Sequence, residues 1–163
     1  MQVKDKIVIV TGAGSGIGKA TAIHFATYKA TVVVSDIDVE RAQKVVDEII
    51  LTGGKATVNK CNVAKFEEVE NLIHSTVTKF GQLDVLVNNA GIGPNLLKTH
   101  ESRLKDWDAV IAVNQTGVYY CMKVALQQFL AQGHGNIVNI ASLAGLKASP
   151  NNISYSASKF AVV

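Results

Sequence analysis

The sequence predicts an α/β fold in which helices cover both faces of a parallel sheet, a doubly wound architecture. Three features predict it: short runs of Val and Ile recur along the chain, helical patterns separate them, and a glycine-rich turn joins the first run to a helix. Continuous apolar runs, without alternation of polar residues, are typical of strands that are covered on both faces. Because strands and helices alternate without a linker or internal repeat, we expect a single domain over residues 1–163.

Five segments are predicted as strands. The clearest are IVIV, TVVVS, LDVLVN and NIVNI, at residues 7–10, 31–35, 83–88 and 136–140, whereas KATVNKC at 55–61 is weaker. Connections between parallel strands are expected to be right-handed crossovers through the helices between them.

Helical patterns separate these strands. The glycine-rich turn after the first strand opens a helix. Residues 38–52 carry apolar residues at helical spacing, with Asp38 as the expected N-cap and two glycines directly after the pattern. Residues 65–80 repeat the pattern, and Gly81 ends it.

The helix predicted at 107–131 is apolar on more than one side. A helix of this kind is buried on most sides. We expect one side to pack on the sheet and the other to face a second subunit in a homo-oligomer, a dimer or tetramer. The alternative is a single well-buried helix.

Composition and charge narrow the class of protein. Of the 163 residues, 48% are hydrophobic and 18% charged, which favours a folded domain over a disordered chain. The net charge of +3 is small and no segment concentrates Lys and Arg, so we expect no nucleic-acid partner.

No apolar stretch approaches the ~20 residues of a membrane span. With two cysteines and no secretion signal, we expect a cytoplasmic protein with free thiols and no membrane partner.

The glycine-rich turn, VTGAGSGIGKA at 10–20, favours dinucleotide binding. Gly12, Gly16 and Gly18 let the chain turn sharply and let backbone N–H groups approach a diphosphate. The helix N-terminus adds its partial positive charge. A glycine pattern alone is often only a turn, but here it follows a strand and opens a helix, which is the context that such a site requires.

Asp36 ends the second predicted strand. Its carboxylate can accept hydrogen bonds from both ribose hydroxyls of an adenosine, and it would repel a 2′-phosphate. Since Ser15 and Ile37 offer no positive charge, NAD is favoured over NADP, although Arg41 one helical turn on could oppose this. The alternative for Asp36 is a solvated acid in a turn.

Several motifs occur together and in one order along the chain. They are T-G-x-x-x-G-x-G at Thr11–Gly18, NNAG at 88–91, Asn114 in VNQTG, Ser142 after the last predicted strand, and Tyr155-x-x-x-Lys159. In this combination the sequence resembles the short-chain dehydrogenase/reductase family, in its common single-domain branch. The resemblance implies a Rossmann-type fold, NAD or NADP as cofactor, and oxidation of alcohols or reduction of carbonyls.

The resemblance also implies which residues hold the cofactor. It places the diphosphate along the glycine turn, the adenine beside Asn62 and Val63, and the NNAG segment under the cofactor. Family members usually carry Asp at position 62, and Asn keeps an acceptor oxygen without the charge. The expected cofactor-binding residues are Gly12, Ser15, Gly16, Ile17, Gly18, Asp36, Asn62, Val63, Asn89, Ala90, Gly91, Tyr155 and Lys159.

Hydride transfer between an alcohol and a nicotinamide leaves a proton to be moved, and Tyr155 is the candidate acid and base. A free phenol has a pKa of about 10, whereas a base that works at neutral pH should titrate nearer to 7. Lys159 lies at i+4 on the same helix face, where its ammonium can stabilise a phenolate and can hold the nicotinamide ribose. This spacing alone is common on helix surfaces, but the glycine turn and Ser142 favour a site.

Ser142 follows a strand at the carboxyl edge of the sheet, where such folds bind ligands. Its hydroxyl can polarise a substrate carbonyl, whereas Ser156 and Ser158 are predicted to point elsewhere. The resemblance gives Asn114 the role of holding a water linked to the lysine; the alternative is a satisfied core amide. The histidines show no metal-ligand spacing, so no metal is expected.

These residues together predict an NAD-dependent oxidoreductase that interconverts a secondary alcohol and a ketone, with Tyr155 as general acid and base. Segments 91–98 and 145–152 would border a substrate site, and their mostly small or neutral residues favour a neutral substrate. By its resemblance, the chain stops soon after the Tyr-x-x-x-Lys helix begins, before further strands and a substrate-covering loop. The alternative is therefore a module that binds NAD, or only assembles, without turnover.

Overall fold

The computed structural model describes residues 3–93, 96–148 and 150–163, and it has the predicted doubly wound architecture. The strands are Ile7–Thr11 (β1), Thr31–Asp36 (β2), Lys55–Lys60 (β3), Val85–Asn88 (β4) and Asn136–Asn139 (β5). They form one parallel sheet in the order β3-β2-β1-β4-β5. Every predicted strand is present, and the order reverses between β1 and β4. In open α/β sheets this reversal opens a crevice at the carboxyl ends of the strands.

Helices connect these strands on both faces of the sheet. They are Gly16–Thr27 (α1), Val39–Leu51 (α2), Phe66–Phe80 (α3), Leu104–Ile111 (α4), Gly117–Gln132 (α5) and Ile153–Phe160 (α6). The predicted boundaries hold where a cap defines them: the Asp38 carboxylate accepts a hydrogen bond from the Arg41 N–H, and Gly81 ends α3 with a left-handed φ of 80°.

The core consists of two layers, one on each face of the sheet. Val8 and Val10 of β1 pack against α1 and α2, whereas Ile9 between them packs against α3 and α5. Because successive side chains of a strand point to opposite faces, both alternating sets must be apolar. This is the physical reason for the continuous Val and Ile runs in the sequence.

The helix predicted at 107–131 is two helices joined by a π-helical segment, Ala112–Thr116. Single π turns inside helices are rare and often occur at functional sites. This segment carries Asn114, whose side chain is fully buried.

The two sides of α5 differ in exposure. Cys121 and Phe129 are buried against the sheet layer, whereas Tyr119 and Leu130 are exposed. This exposed apolar face agrees with the expected subunit contact, and the homo-oligomer stays a prediction. Trp107, on α4, is 38% exposed.

At the amino edge of the sheet, Asp84 is a buried carboxylate. It accepts hydrogen bonds from the Ile7 N–H, the Lys6 ammonium and the Gln82 amide, each at 2.8 Å. Burial opposes ionisation of Asp84, but these bonds outweigh burial, and the pKa of the carboxyl lies below its usual value. The carboxylate therefore joins the start of β1 to the start of β4.

Within the described ranges, no helix has the length and hydrophobicity needed to cross a bilayer.

Candidate active site

A cavity of about 400 Å³ opens at the carboxyl ends of β1, β2 and β4. Its walls come from the glycine turn, the segments after β2, β3 and β4, and the π segment. The lining residues are Gly12, Ser15, Gly16, Ile17, Asp36, Ile37, Cys61, Asn62, Val63, Asn89, Ala90, Gly91, Ile92 and Val113. The structure thus brings together every residue predicted to bind the cofactor except Gly18, Tyr155 and Lys159.

Four of the residues that line the cavity were not among those predicted from the sequence. Ile37, Cys61 and Ile92 directly adjoin predicted residues, so adjacency along the chain could have found them. Val113 reaches the cavity only because the π segment packs under the β4 loop, and no local pattern signals it.

The three glycines of the turn have different tasks. Gly12 and Gly16 adopt left-handed φ angles of 62° and 53°, which L side chains rarely adopt. A Cβ at Gly16 would meet open space, whereas a Cβ at Gly18 would lie 2.3 Å from the Gly12 carbonyl oxygen. Gly16 therefore leaves the backbone open to a ligand, and Gly18 lets α1 pack closely under the turn.

The NNAG segment ties the end of β4 to this turn. The Asn89 side-chain amide donates to the carbonyl oxygens of Thr11, at 2.9 Å, and Gly12, at 3.1 Å. In return, the Thr11 hydroxyl accepts from the N–H groups of Asn89 and Ala90, each at 3.1 Å. These bonds fix the cavity floor across the point where the strand order reverses.

Asp36 stands at the rim of the cavity, and both of its oxygens are oriented by backbone groups. One accepts from the Gly14 N–H at 2.9 Å and the other from the Asp38 N–H at 3.0 Å. Arg41 pairs with Asp38, with 3.0 Å between the guanidinium Nε and the carboxylate. The carboxylate is thus held in place at the cavity rim, and the nearby guanidinium is directed to a different acid.

Asn62, predicted to lie beside the adenine, lines the cavity and makes two hydrogen bonds to neighbouring residues. Its side-chain oxygen accepts from the Ala64 N–H at 3.0 Å, so this acceptor already has a partner within the loop. Its own N–H donates to the Glu68 carboxylate at 2.7 Å, and this bond, with help from Lys65, lowers the pKa of Glu68. Glu68 therefore anchors the loop that lines the cavity.

The candidate proton-transfer residues meet where β5 ends. Lys159 is only 5% exposed, and its ammonium donates to the Ile140 carbonyl oxygen at 2.6 Å. Its Nζ lies 5.8 Å from the centre of the Tyr155 ring. Burial lowers the pKa of Lys159. The predicted i, i+4 pair is therefore a buried cation beside a phenol ring.

Ser142 lies two residues after Ile140, at the start of the turn Leu143–Gly145. Its hydroxyl oxygen accepts from the Ala144 N–H at 3.1 Å. This turn packs directly on α6, since a Cβ at Gly145 would lie 2.5 Å from the Lys159 carbonyl oxygen. The serine and the lysine are therefore held at the same corner of the sheet.

Asn114 joins this corner to the cavity. Its amide oxygen accepts from the Ile92 N–H at 2.9 Å, and its amide nitrogen donates to the Ile92 carbonyl at 3.0 Å and to the Ser158 hydroxyl at 3.3 Å. Ile92 lines the cavity and Ser158 belongs to α6. Ser142, Tyr155 and Lys159 do not line the cavity themselves, but Asn114 links its Ile92 end to the helix that carries Tyr155 and Lys159.

The segments expected to border a substrate are described only in part, because Pro94, Asn95 and Ser149 lie outside the described residues.

Across the described part of the chain, no three His, Cys, Asp or Glu side chains are grouped so that they could hold a metal ion.

The sequence pattern that describes the family of short chain dehydrogenases matches residues 6–163. The chain belongs to the short chain dehydrogenase family. Among relatives in this family, a cyclohexanol dehydrogenase from Acinetobacter sp. is 46% identical over 97% of this chain. A 3-oxoacyl-[acyl-carrier-protein] reductase from Synechocystis sp. is 45% identical, also over 97%.

The fold agrees with solved structures of the family. A short chain dehydrogenase/reductase from Burkholderia phymatum, solved in complex with NAD, superimposes on 99% of this chain with a TM-score of 0.96 and 34% identity. The chain spans 63% and 64% of the lengths of the two relatives above, and 58% of this solved chain.

Proposed function

We propose that the protein is an NAD-dependent oxidoreductase that interconverts a secondary alcohol and a ketone. The observation that carries the proposal is one continuous arrangement. A cavity lined by the glycine turn and Asp36 is joined through Asn114 to a helix that presents Tyr155 and a buried Lys159. Membership in a family whose relatives include a cyclohexanol dehydrogenase and a 3-oxoacyl reductase supports the reaction class.

The lining of the cavity suits the adenosine and diphosphate of a nicotinamide dinucleotide. The left-handed Gly16 leaves the turn open to a diphosphate, and the N-terminus of α1 favours negative charge there. Asp36 would accept hydrogen bonds from the adenosine ribose, while Val63 and Asn62 would flank the adenine. When bound, the nicotinamide supplies the chemistry of hydride acceptance and donation; the remaining steps belong to side chains of this chain.

The position of Asp36 favours NAD. A 2′-phosphate on the ribose would bring negative charge to a carboxylate that is held in place by Gly14 and Asp38. Arg41 is engaged by Asp38, so its charge is partly balanced before any phosphate arrives. The solved relative that contains NAD agrees with this choice.

Tyr155 would move the proton. As the alcohol gives up a hydride to the nicotinamide, the phenolate of Tyr155 would take the hydroxyl proton and become a phenol. In the reverse direction the phenol would return that proton to the oxygen of the reduced carbonyl. Lys159 stabilises negative charge on that oxygen because its cation is buried beside the ring, where solvent screens it less than at the surface. Ser142 accepts a bond from Ala144, which leaves its own hydroxyl proton for the substrate oxygen.

The surroundings of this corner favour a neutral substrate. Leu143, Leu146 and Ile153 flank Ser142 and Tyr155 along the chain, and their side chains are exposed. An apolar border of this kind would bind the body of a neutral alcohol or ketone by burial of apolar surface.

The test is turnover by the full-length protein, followed by NADH absorbance. Neutral secondary alcohols with NAD⁺ should give turnover, and NADP⁺ should give less. Tyr155→Phe should abolish turnover, while Tyr28→Phe, which changes an exposed tyrosine, should leave it unchanged. Strict preference for an anionic substrate, or full activity of Tyr155→Phe, would contradict the proposal.

Calorimetry with NAD separates the proposal from a non-catalytic binding module. Binding without turnover on any alcohol or ketone, unaffected by Tyr155→Phe, would favour the module.

We also propose that the exposed face of α5 contacts a second copy of the chain, which light scattering would show as a dimer or tetramer.

A further inference from the structure

Ser158 lies in the interior, between the π segment and α6. Its side chain is fully buried, and its hydroxyl makes two hydrogen bonds. It donates to the Tyr155 carbonyl oxygen at 2.7 Å and accepts from the Asn114 amide nitrogen at 3.3 Å. The residue therefore contacts both the helix that carries Tyr155 and the amide that holds the cavity loop.

The direction of these bonds is determined by the partners. The Ile92 N–H can only donate, so the Asn114 oxygen must face it, and the Asn114 nitrogen must face the Ile92 carbonyl and Ser158. Since that nitrogen can only donate, the Ser158 oxygen accepts, and its own proton goes to the Tyr155 carbonyl. A side chain without a hydroxyl cannot fill this place, because the position requires one donor and one acceptor on the same atom.

The helix α6 is thus attached at two neighbouring residues to two different parts of the sheet. Lys159 holds it to the end of β5 through the Ile140 carbonyl. Ser158 holds it, through Asn114, to Ile92 in the loop after β4, where the cavity ends. Without the second attachment, the loop after β4 loses its hydrogen-bonded link to the helix that carries Tyr155, and Tyr155 could shift relative to the cavity.

We propose that Ser158 is a positioning residue that sets the distance between Tyr155 and the Ile92 end of the cavity, acting through Asn114. This inference rests on the proposed function for its effect on catalysis. The coupling of α6 to the loop after β4 through Ser158 does not depend on the proposed function, and it can be tested without cofactor or substrate.

The chain offers a matched control on the same helix. Ser156 is also buried, at 4% exposure, but its hydroxyl has no hydrogen-bond partner in the part of the chain that the structure describes. Ser158→Ala and Ser156→Ala therefore remove the same atom from the same helix, one with two bonds and one with none.

The first measurement is backbone hydrogen exchange in the full-length protein without cofactor. Ser158→Ala should speed exchange in peptides that cover residues 88–93 and in peptides that cover α6, while Ser156→Ala should change neither. Ser158→Thr, which keeps the hydroxyl, should restore the wild-type rates at both places. Exchange that is unchanged in Ser158→Ala, or faster in α6 alone, would overturn the coupling.

The second measurement is steady-state kinetics with NAD⁺ and an alcohol. A misplaced proton acceptor should lower kcat by about 10- to 100-fold, with the NAD affinity from calorimetry unchanged and most of the loss recovered by Ser158→Thr. A lower melting temperature with unchanged kcat at 25 °C would overturn the inference, because it would show a purely structural role.

A second variant and a measurement independent of turnover keep the proposal testable in two further cases. If Ser158→Ala does not fold, Ser158→Cys keeps the shape of the side chain with a somewhat larger atom and weakens both hydrogen bonds, and the same exchange pattern is expected of it. If the wild-type protein turns over no alcohol, the proposed function fails, but the exchange measurement still decides the coupling.

Discussion

Replacing Gly18 by alanine should open the glycine turn. A Cβ at this position would lie 2.3 Å from the Gly12 oxygen and 2.4 Å from the Asn89 amide nitrogen. Ordinary contacts begin at 3.4 Å, so the turn and α1 must separate by about 1 Å. The oxygen cannot simply rotate away, because Asn89 holds it at 3.1 Å.

The magnitude follows from these contacts. Overpacking of this kind lowers the free energy of unfolding by about 1–3 kcal/mol, and weakening the Asn89 hydrogen bond lowers it by about 1 kcal/mol more. The higher helix propensity of alanine offsets up to about 1 kcal/mol of this loss. The net loss of about 2 kcal/mol should lower the melting temperature by about 4–8 °C in a protein of this size. Since the displaced turn is a cavity wall, NAD affinity should fall about tenfold, equivalent to one lost hydrogen bond.

Differential scanning fluorimetry gives the melting temperature, and calorimetry gives the NAD affinity. Gly93→Ala is the matched control, because Gly93 lies outside the left-handed region and a Cβ there meets no atom of the described residues within 4 Å. It should change neither quantity. A Gly18→Ala protein that melts within about one degree of the wild type and binds NAD equally well would refute the reasoning from close packing.

Three further predictions concern charge and burial. Asp84→Asn should cost about 2 kcal/mol at pH 7. Because the native pKa of Asp84 is lowered, its contribution is complete above the unfolded pKa of about 4 and is lost as the pH falls through the native value. Denaturation at pH 7 and pH 3 should therefore show less acid sensitivity in the variant, and equal sensitivity would contradict this. Burial raises the pKa of Cys61 to about 11 and of Cys121 to about 12, so a thiol reagent at pH 8 should label neither until guanidinium is added; rapid labelling of native protein would count against it. Asp36→Ala should lower the ratio of kcat/KM for NAD over NADP by about tenfold or more, as expected for one charge-assisted hydrogen bond, and an unchanged ratio would exclude Asp36 as the selective group.

Much of the fold could be predicted from the sequence because its signals are local. A strand covered on both faces must be apolar at consecutive residues, and Val8, Ile9 and Val10 show this directly. The glycine turn, Asp36 at the end of β2, and the spacing of Tyr155 and Lys159 are likewise patterns within a few residues of one another. Because these residues are close along the chain, their relative positions are fixed once the segment is known to be a helix, a strand or a turn.

The attachments that assemble the candidate site could not be predicted in this way. Asn114 bonds to Ile92 and Ser158, which lie 22 and 44 residues away, and Asn89 bonds to Gly12 across 77 residues. A buried amide can be satisfied by many partners, and only the packing of the π segment between the β4 loop and α6 selects these. The same packing gives Ser158, predicted from the sequence to point elsewhere, a hydrogen bond to the Asn114 amide.

The sequence by itself therefore determined which residue types line the cavity and in what order, since each follows from the strand or turn that carries it. Only the tertiary structure decided how Tyr155 and Lys159 are held against the cavity. That depends on hydrogen bonds between segments far apart in the chain, and their donors and acceptors meet only after the sheet has ordered its strands.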